Sequence, residues 1–74
     1  MAETVQEMIR VRVNGGPKLV PPGLTIVQLL TEIGIDPKKV AVERNLEIVP
    51  RSTLDSVGVN DGDSFEIVHF VGGG

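Results

Sequence analysis

The sequence predicts an α+β domain in which one helix packs across one sheet. Three observations carry this. Apolar and polar residues alternate in strand fashion near both ends of the chain. One internal segment has helical apolar spacing with a start and a stop signal. The chain has 74 residues, which leaves room for one domain and a small core. A strand, strand, helix, strand, strand, strand order then puts four to five strands in one sheet, because a single short helix is stable only when its apolar face lies on such a sheet.

The first strand begins at Met8. Ile9, Val11 and Val13 fall on one side and Arg10 and Arg12 on the other, the pattern of a half-buried strand. Asn14-Gly15-Gly16 accepts positive φ and turns the chain. Pro17-Lys18-Leu19-Val20 reads as the returning strand, so residues 8–20 form a hairpin that Pro21-Pro22-Gly23 ends. Residues 1–7 are polar and are expected to be disordered, as termini usually are. A tag, a mis-assigned start and a native extension are all open readings of them.

The helix is the best-signalled element. Thr25 is the expected N-cap and Gln28 completes a capping box, with Leu24 and Leu29 at the two staple positions. Ile26, Leu29, Leu30 and Ile33 line one face. Gly34 supplies the left-handed stop and Pro37 forbids continuation. Asp36 to Lys39 is a connector, and Val40-Ala41-Val42-Glu43 reads as the third strand. Arg44-Asn45-Leu46 turns the chain into a short fourth strand, Glu47-Ile48-Val49, which Pro50 ends. Residues 51–57 are expected to hold one helical turn with Ser52 as cap, Asp55 in the first turn and Gly58 closing it. Asn60-Asp61-Gly62-Asp63 is a tight turn into the last strand.

That strand, from Ser64 onward, runs into a bare glycine tail. Phe65, Ile67, His69 and Val71 share one face and Glu66, Val68 and Phe70 the other. Phe65 and Ile67 are the expected core pair. Val68, Phe70 and Val71 then form a candidate docking patch, since two large apolar groups exposed together mark an interaction site. His69, on the Phe65 face, is expected to be a half-buried structural residue. Residues 1–71 are read as the domain and residues 72–74 as a flexible tail. Glycine costs more backbone entropy to order than any other residue, so Gly72, Gly73 and Gly74 add nothing to folding. Lacking Cβ atoms, they can pass close to the walls of another protein's active site, where a terminal carboxylate on Gly74 can be activated by ATP.

Composition narrows the chemistry. There is no Cys and one His, which excludes a disulfide framework, a thiolate zinc site, a cysteine nucleophile and a multi-histidine metal site on this chain. No catalytic residue set, phosphate loop or metal site is found, so the chain is expected to bind no cofactor and to be a co-substrate of partner enzymes. No apolar run reaches membrane length and no basic stripe with aromatics suits nucleic acid. The expected address is the cytoplasm and the expected free state a monomer. Net charge is −3, and beyond Arg51 the only charged residues are Asp55, Asp61, Asp63 and Glu66. An acidic surface beside the tail suggests a partner with a basic face.

The chain from Met8 to its end resembles the ThiS family, β-grasp, ubiquitin-like sulfur carriers of thiamine biosynthesis. The likeness rests on Asn14 after the first strand and on Thr25-Ile26-Val27-Gln28-Leu29-Leu30. It rests also on Val40-Ala41-Val42-Glu43 with Asn45, and on Val49-Pro50-Arg51-Ser52. It is strongest at Asp61-Gly62-Asp63, Glu66-Ile67-Val68 and Val71-Gly72-Gly73-Gly74. The resemblance implies that Gly74 is adenylated with ATP by an E1-like, ThiF-type adenylyltransferase and converted to a thiocarboxylate. The sulfur would come from cysteine through a desulfurase and pass to a ThiG-type thiazole synthase. The resemblance also implies that the first and last strands lie parallel at the sheet centre, so that Arg10 or Arg12 neighbours Glu66 and frames the Val68/Phe70 patch. Where the family often has Asn-Gly between strands three and four, this chain has Asn45-Leu46, which points to another turn type. Alternatives from the same fold are the MoaD-type carrier of molybdopterin synthesis, carriers serving tRNA thiolation or amino-acid synthesis, and a ubiquitin-type modifier. A ubiquitin-like binding module with an inert tail is the alternative from another class.

Overall fold

In the computed structural model, which describes residues 7–70, the chain folds as a five-stranded mixed sheet crossed by one helix. The strands are β1 (Ile9–Val13), β2 (Gly16–Val20), β3 (Val40–Arg44), β4 (Glu47–Ile48) and β5 (Ser64–His69), in the spatial order β2-β1-β5-β3-β4. β1 and β5 are parallel and central; β1–β2, β3–β5 and β3–β4 are antiparallel. This is the β-grasp arrangement.

The helix α1 (Ile26–Glu32) follows the sequence signals at both ends. Its N-terminus leaves no orphan donor. Thr25 N donates to Gln28 Oε1 at 2.9 Å and Gln28 N to Thr25 Oγ1 at 3.2 Å, the reciprocal capping box. Ile26 N donates to Val57 O and Val27 N to Leu54 O, each at 3.0 Å. The stretch after β4 is therefore what docks the start of the helix, and Gly58 forms a bridge with Thr25 instead of closing a helical turn. At the other end Gly34 has φ +82, Gly34 N donates to Thr31 O and Ile35 N to Leu30 O, a Schellman closure.

Ile26, Leu29 and Leu30 are fully buried against Val11, Val20, Val40, Val42, Phe65 and Ile67 from the sheet. Leu54 and Val59 complete the core. Burying each such side chain contributes about 1.5–3 kcal/mol, which is why a helix this short survives.

Two short elements differ from the sequence expectation. The Asp36–Lys39 connector contains a 3₁₀ turn, Pro37–Lys39, capped by Asp36 Oδ1 accepting from Lys38 N at 2.9 Å. The turn after β4 is 3₁₀ and starts at Arg51 (Arg51–Thr53), with Pro50 in the cap position and no side-chain cap, so Ser52 is not the cap and Asp55 lies beyond the turn. The turn is held from within, since Thr53 N and Thr53 Oγ1 both donate to Pro50 O.

Candidate functional site

β5 carries the chain toward its end, and contacts on both flanks fix its course. Arg12 N donates to Asp63 O and Asn14 N to Phe65 O, which joins it to β1. Beyond Val13 there is no β1 left, and the Asn14 side chain takes over as a surrogate strand. Its Oδ1 accepts from Ile67 N at 2.7 Å and its Nδ2 donates to Ile67 O at 3.2 Å. Asn14 is free to do so because the two-residue turn Asn14-Gly15 has positive φ at both positions, 50 and 84. On the other flank β3 pairs with β5 from Phe65 to His69, and Phe70 N donates to Lys39 O one residue further on.

The start of β5 is anchored by Asp63, whose role as an anchor goes beyond the turn and the acidic surface expected from the sequence. It is 6% exposed and collects four donors. Oδ2 accepts from Arg44 Nε at 2.9 Å and Asn60 N at 2.8 Å; Oδ1 accepts from Asn45 Nδ2 at 3.1 Å and Arg44 Nη2 at 3.3 Å. Burial pushes its pKa up, but the hydrogen bonds from Asn60, Arg44 and Asn45 and the Arg44 charge outweigh that, and the net shift is downward. Asp61 also links β5 to β1, accepting from Arg10 N at 2.8 Å, while Gly62 N donates to Arg10 O.

Val68 and Phe70 stand 61% and 59% exposed, as the alternation requires. Ala41 lies opposite Val68, and Glu43 opposite Glu66. The expected arginine frame is not there. Arg12 sits opposite Ser64, and Asn14 takes the place beside Ile67. Among the described residues the one ion pair is Arg44–Asp63. His69 is exposed, not half-buried. It lies past the end of β1, so only β3 flanks it. Two of the four acids of the C-terminal third are not at the exit. Asp61 and Asp63 lie at the start of β5, roughly 20 Å of extended strand from Phe70. Lys38, Lys39 and Arg51 are the charged residues on the two 3₁₀ turns beside that end of the sheet. The Arg51 guanidinium lies 5.3 Å from the centroid of the Phe70 ring. Val71, Gly72, Gly73 and Gly74 lie outside the described residues, as do residues 1–6 of the expected N-terminal extension.

The β3–β4 turn keeps the geometry for which Asn-Gly is favoured: Asn45 and Leu46 both have positive φ, 51 and 72. Leu46 occupies the glycine position and is 89% exposed. Asn45 is held there by Ser64, whose N–H donates to its Oδ1 at 2.9 Å.

The family model described as "ThiS family" matches residues 11–74. The chain belongs to the ThiS family. The sulfur carrier protein ThiS of Bacillus subtilis is 48% identical over 50 residues, covering 68% of this chain and 76% of that protein. The crystal structure of the thiamine biosynthesis protein ThiS from Geobacter metallireducens superposes with a TM-score of 0.75 at 35% identity, covering 89% of this chain and all of that one. A thiazole synthase of Paramagnetospirillum magneticum is 55% identical over 62 residues, covering 84% of this chain and 19% of that protein. The chain thus spans about a fifth of the length of the thiazole synthases it matches.

Proposed function

We propose that this ThiS-family chain is a sulfur carrier of thiamine biosynthesis and that Gly74 bears the transferred sulfur. The observation that carries the reading is that the family match runs to Gly74 itself, directly after a central strand pinned on both flanks. The Gly74 carboxylate attacks the α-phosphorus of ATP on a ThiF-type adenylyltransferase, pyrophosphate leaves, and an acyl-adenylate forms. A sulfide-level sulfur, ultimately from cysteine, then attacks the carbonyl carbon and AMP leaves, giving a thiocarboxylate. A ThiG-type thiazole synthase is the acceptor. That partner is supported by the thiazole synthases in which a region similar to this chain makes up about a fifth of the protein.

The part this chain plays is presentation. β5 is hydrogen-bonded on both flanks as far as Ile67 and Phe70, which sets where the described strand ends. Val68 and Phe70 offer an apolar surface next to that point. Incubation with ATP, a ThiF-type enzyme and sulfide, followed by intact mass measurement, tests the reading. The expected product is heavier by the difference between sulfur and oxygen, and removal of Gly74 abolishes the gain. An unchanged mass, beside a known carrier that the same enzyme converts, would refute it.

A further inference from the structure

We propose that Arg51 is a positioning residue that fixes Phe70, and with it the exit of the C-terminal residues, against the open edge of β3. This deepens the sulfur-carrier reading and rests on it. β4 is two residues long, and its pairing with β3 continues only through Val49 N donating to Val42 O at 2.9 Å. Beyond Val49 the chain turns away at Pro50 into the Arg51–Thr53 turn, so β4 supplies no donor to the Val40 carbonyl. Arg51 supplies it: Nη2 donates to Val40 O at 2.7 Å while Nη1 donates to Pro37 O at 3.0 Å. The same guanidinium lies 5.3 Å from the Phe70 ring centroid. Phe70 in turn donates its N–H to Lys39 O at 3.0 Å. The segment from Pro37 to Val40 is therefore held by Arg51 from the open edge and by Phe70 from β5, and the two side chains meet each other.

Only arginine can do all of this. Its planar fork makes two divergent hydrogen bonds and still presents a flat face to a ring; an ammonium is a compact point charge. Arg51 is therefore tied to docking through Phe70, whose ring its guanidinium meets.

Pyrophosphate release by a ThiF-type enzyme and ATP is followed against carrier concentration for the unsubstituted chain, Arg51→Lys, Phe70→Ala and the double variant, with melting curves for each. Arg51→Lys is expected to fold and to raise KM roughly fivefold with kcat within about twofold. The double variant is expected to match Phe70→Ala alone. NMR gives a second readout that needs no enzyme: the Arg51 side-chain N–H signals carry a ring-current shift that Phe70→Ala removes. A normal KM for Arg51→Lys, effects that multiply in the double variant, or no ring-current shift would each overturn the proposal. No pyrophosphate release with the unsubstituted chain would instead refute the carrier reading, and this inference would fall with it.

Discussion

Replacing Asp63 by Asn probes the anchor that starts β5. The carboxylate accepts four hydrogen bonds, two at each oxygen, and three of them are side-chain donations from Arg44 and Asn45. An Asn side chain keeps one accepting oxygen and turns an NH2 toward at least two donors. Hydrogen bonds to a charged group contribute about 1.5–3 kcal/mol each, and repulsion between facing donors adds to their loss. Rotation and water at the 30%-exposed Arg44 side chain recover part. A net loss of about 2–3 kcal/mol is expected, or roughly 10–20 °C in Tm for a domain of this size. The whole domain has only roughly 4–11 kcal/mol of stability to lose. The pH dependence gives an independent check. The folded pKa of Asp63 lies below its ordinary value of 3.8, so its stabilisation is present above 3.8 and is lost as pH falls through the lower folded value. Asp63→Asn should therefore flatten the acid limb of stability against pH. Urea unfolding followed by circular dichroism from neutral to acid pH measures both effects. A loss under about 0.5 kcal/mol, the range of neutral surface changes, with an unchanged acid limb would refute the anchor argument.

Leu46→Gly should stabilise the domain by about 0.5–1 kcal/mol in urea unfolding, because the strain of a left-handed leucine exceeds the entropy cost of glycine. Asn14→Gly keeps the permitted φ but deletes the amide that pairs with Ile67. It should cost about 1–3 kcal/mol and expose the Ile67 amide to hydrogen exchange. Phe70→Ala should weaken binding to the adenylyltransferase tenfold or more, a cost of about 1.4 kcal/mol, while lowering stability by about 1 kcal/mol or less. Calorimetric binding and thermal unfolding of the same variant decide this, and equal losses in both would mean that Phe70 serves the fold.

Local signals carried most of the fold. The helix and its ends were readable at Thr25, Gln28 and Gly34, because capping depends on neighbours in sequence. The hairpin at Asn14 and the two faces of β5 followed from φ preference and strand period. Register was not readable. Alternation says which way a side chain points but not which residue of a distant parallel strand lies beside it, so the expectation that Arg10 or Arg12 neighbours Glu66 fails and Arg12 faces Ser64. The missed residues have one thing in common: each uses a polar side chain to replace absent backbone. Asn14 extends β1, Arg51 completes the edge of β3, and Asp63 gathers donors from two segments, Arg44-Asn45 and Asn60. No spacing rule exposes such roles. His69 was misjudged for a related reason, since strand period cannot show that β1 has already ended beside it. The family likeness at Asn14, Arg51 and Asp61-Gly62-Asp63 was the available pointer to these positions.

Arg51 is the last basic residue, so trypsin releases residues 52–74 as a single C-terminal peptide. Fragment masses of that peptide, taken after reaction with ATP, adenylyltransferase and sulfide, report on the Gly74 carboxyl directly. Sulfur in place of one oxygen on the fragment that contains Gly74, and on none that lacks it, is the expected result. An unmodified Gly74, or sulfur retained elsewhere in the peptide, would contradict the account.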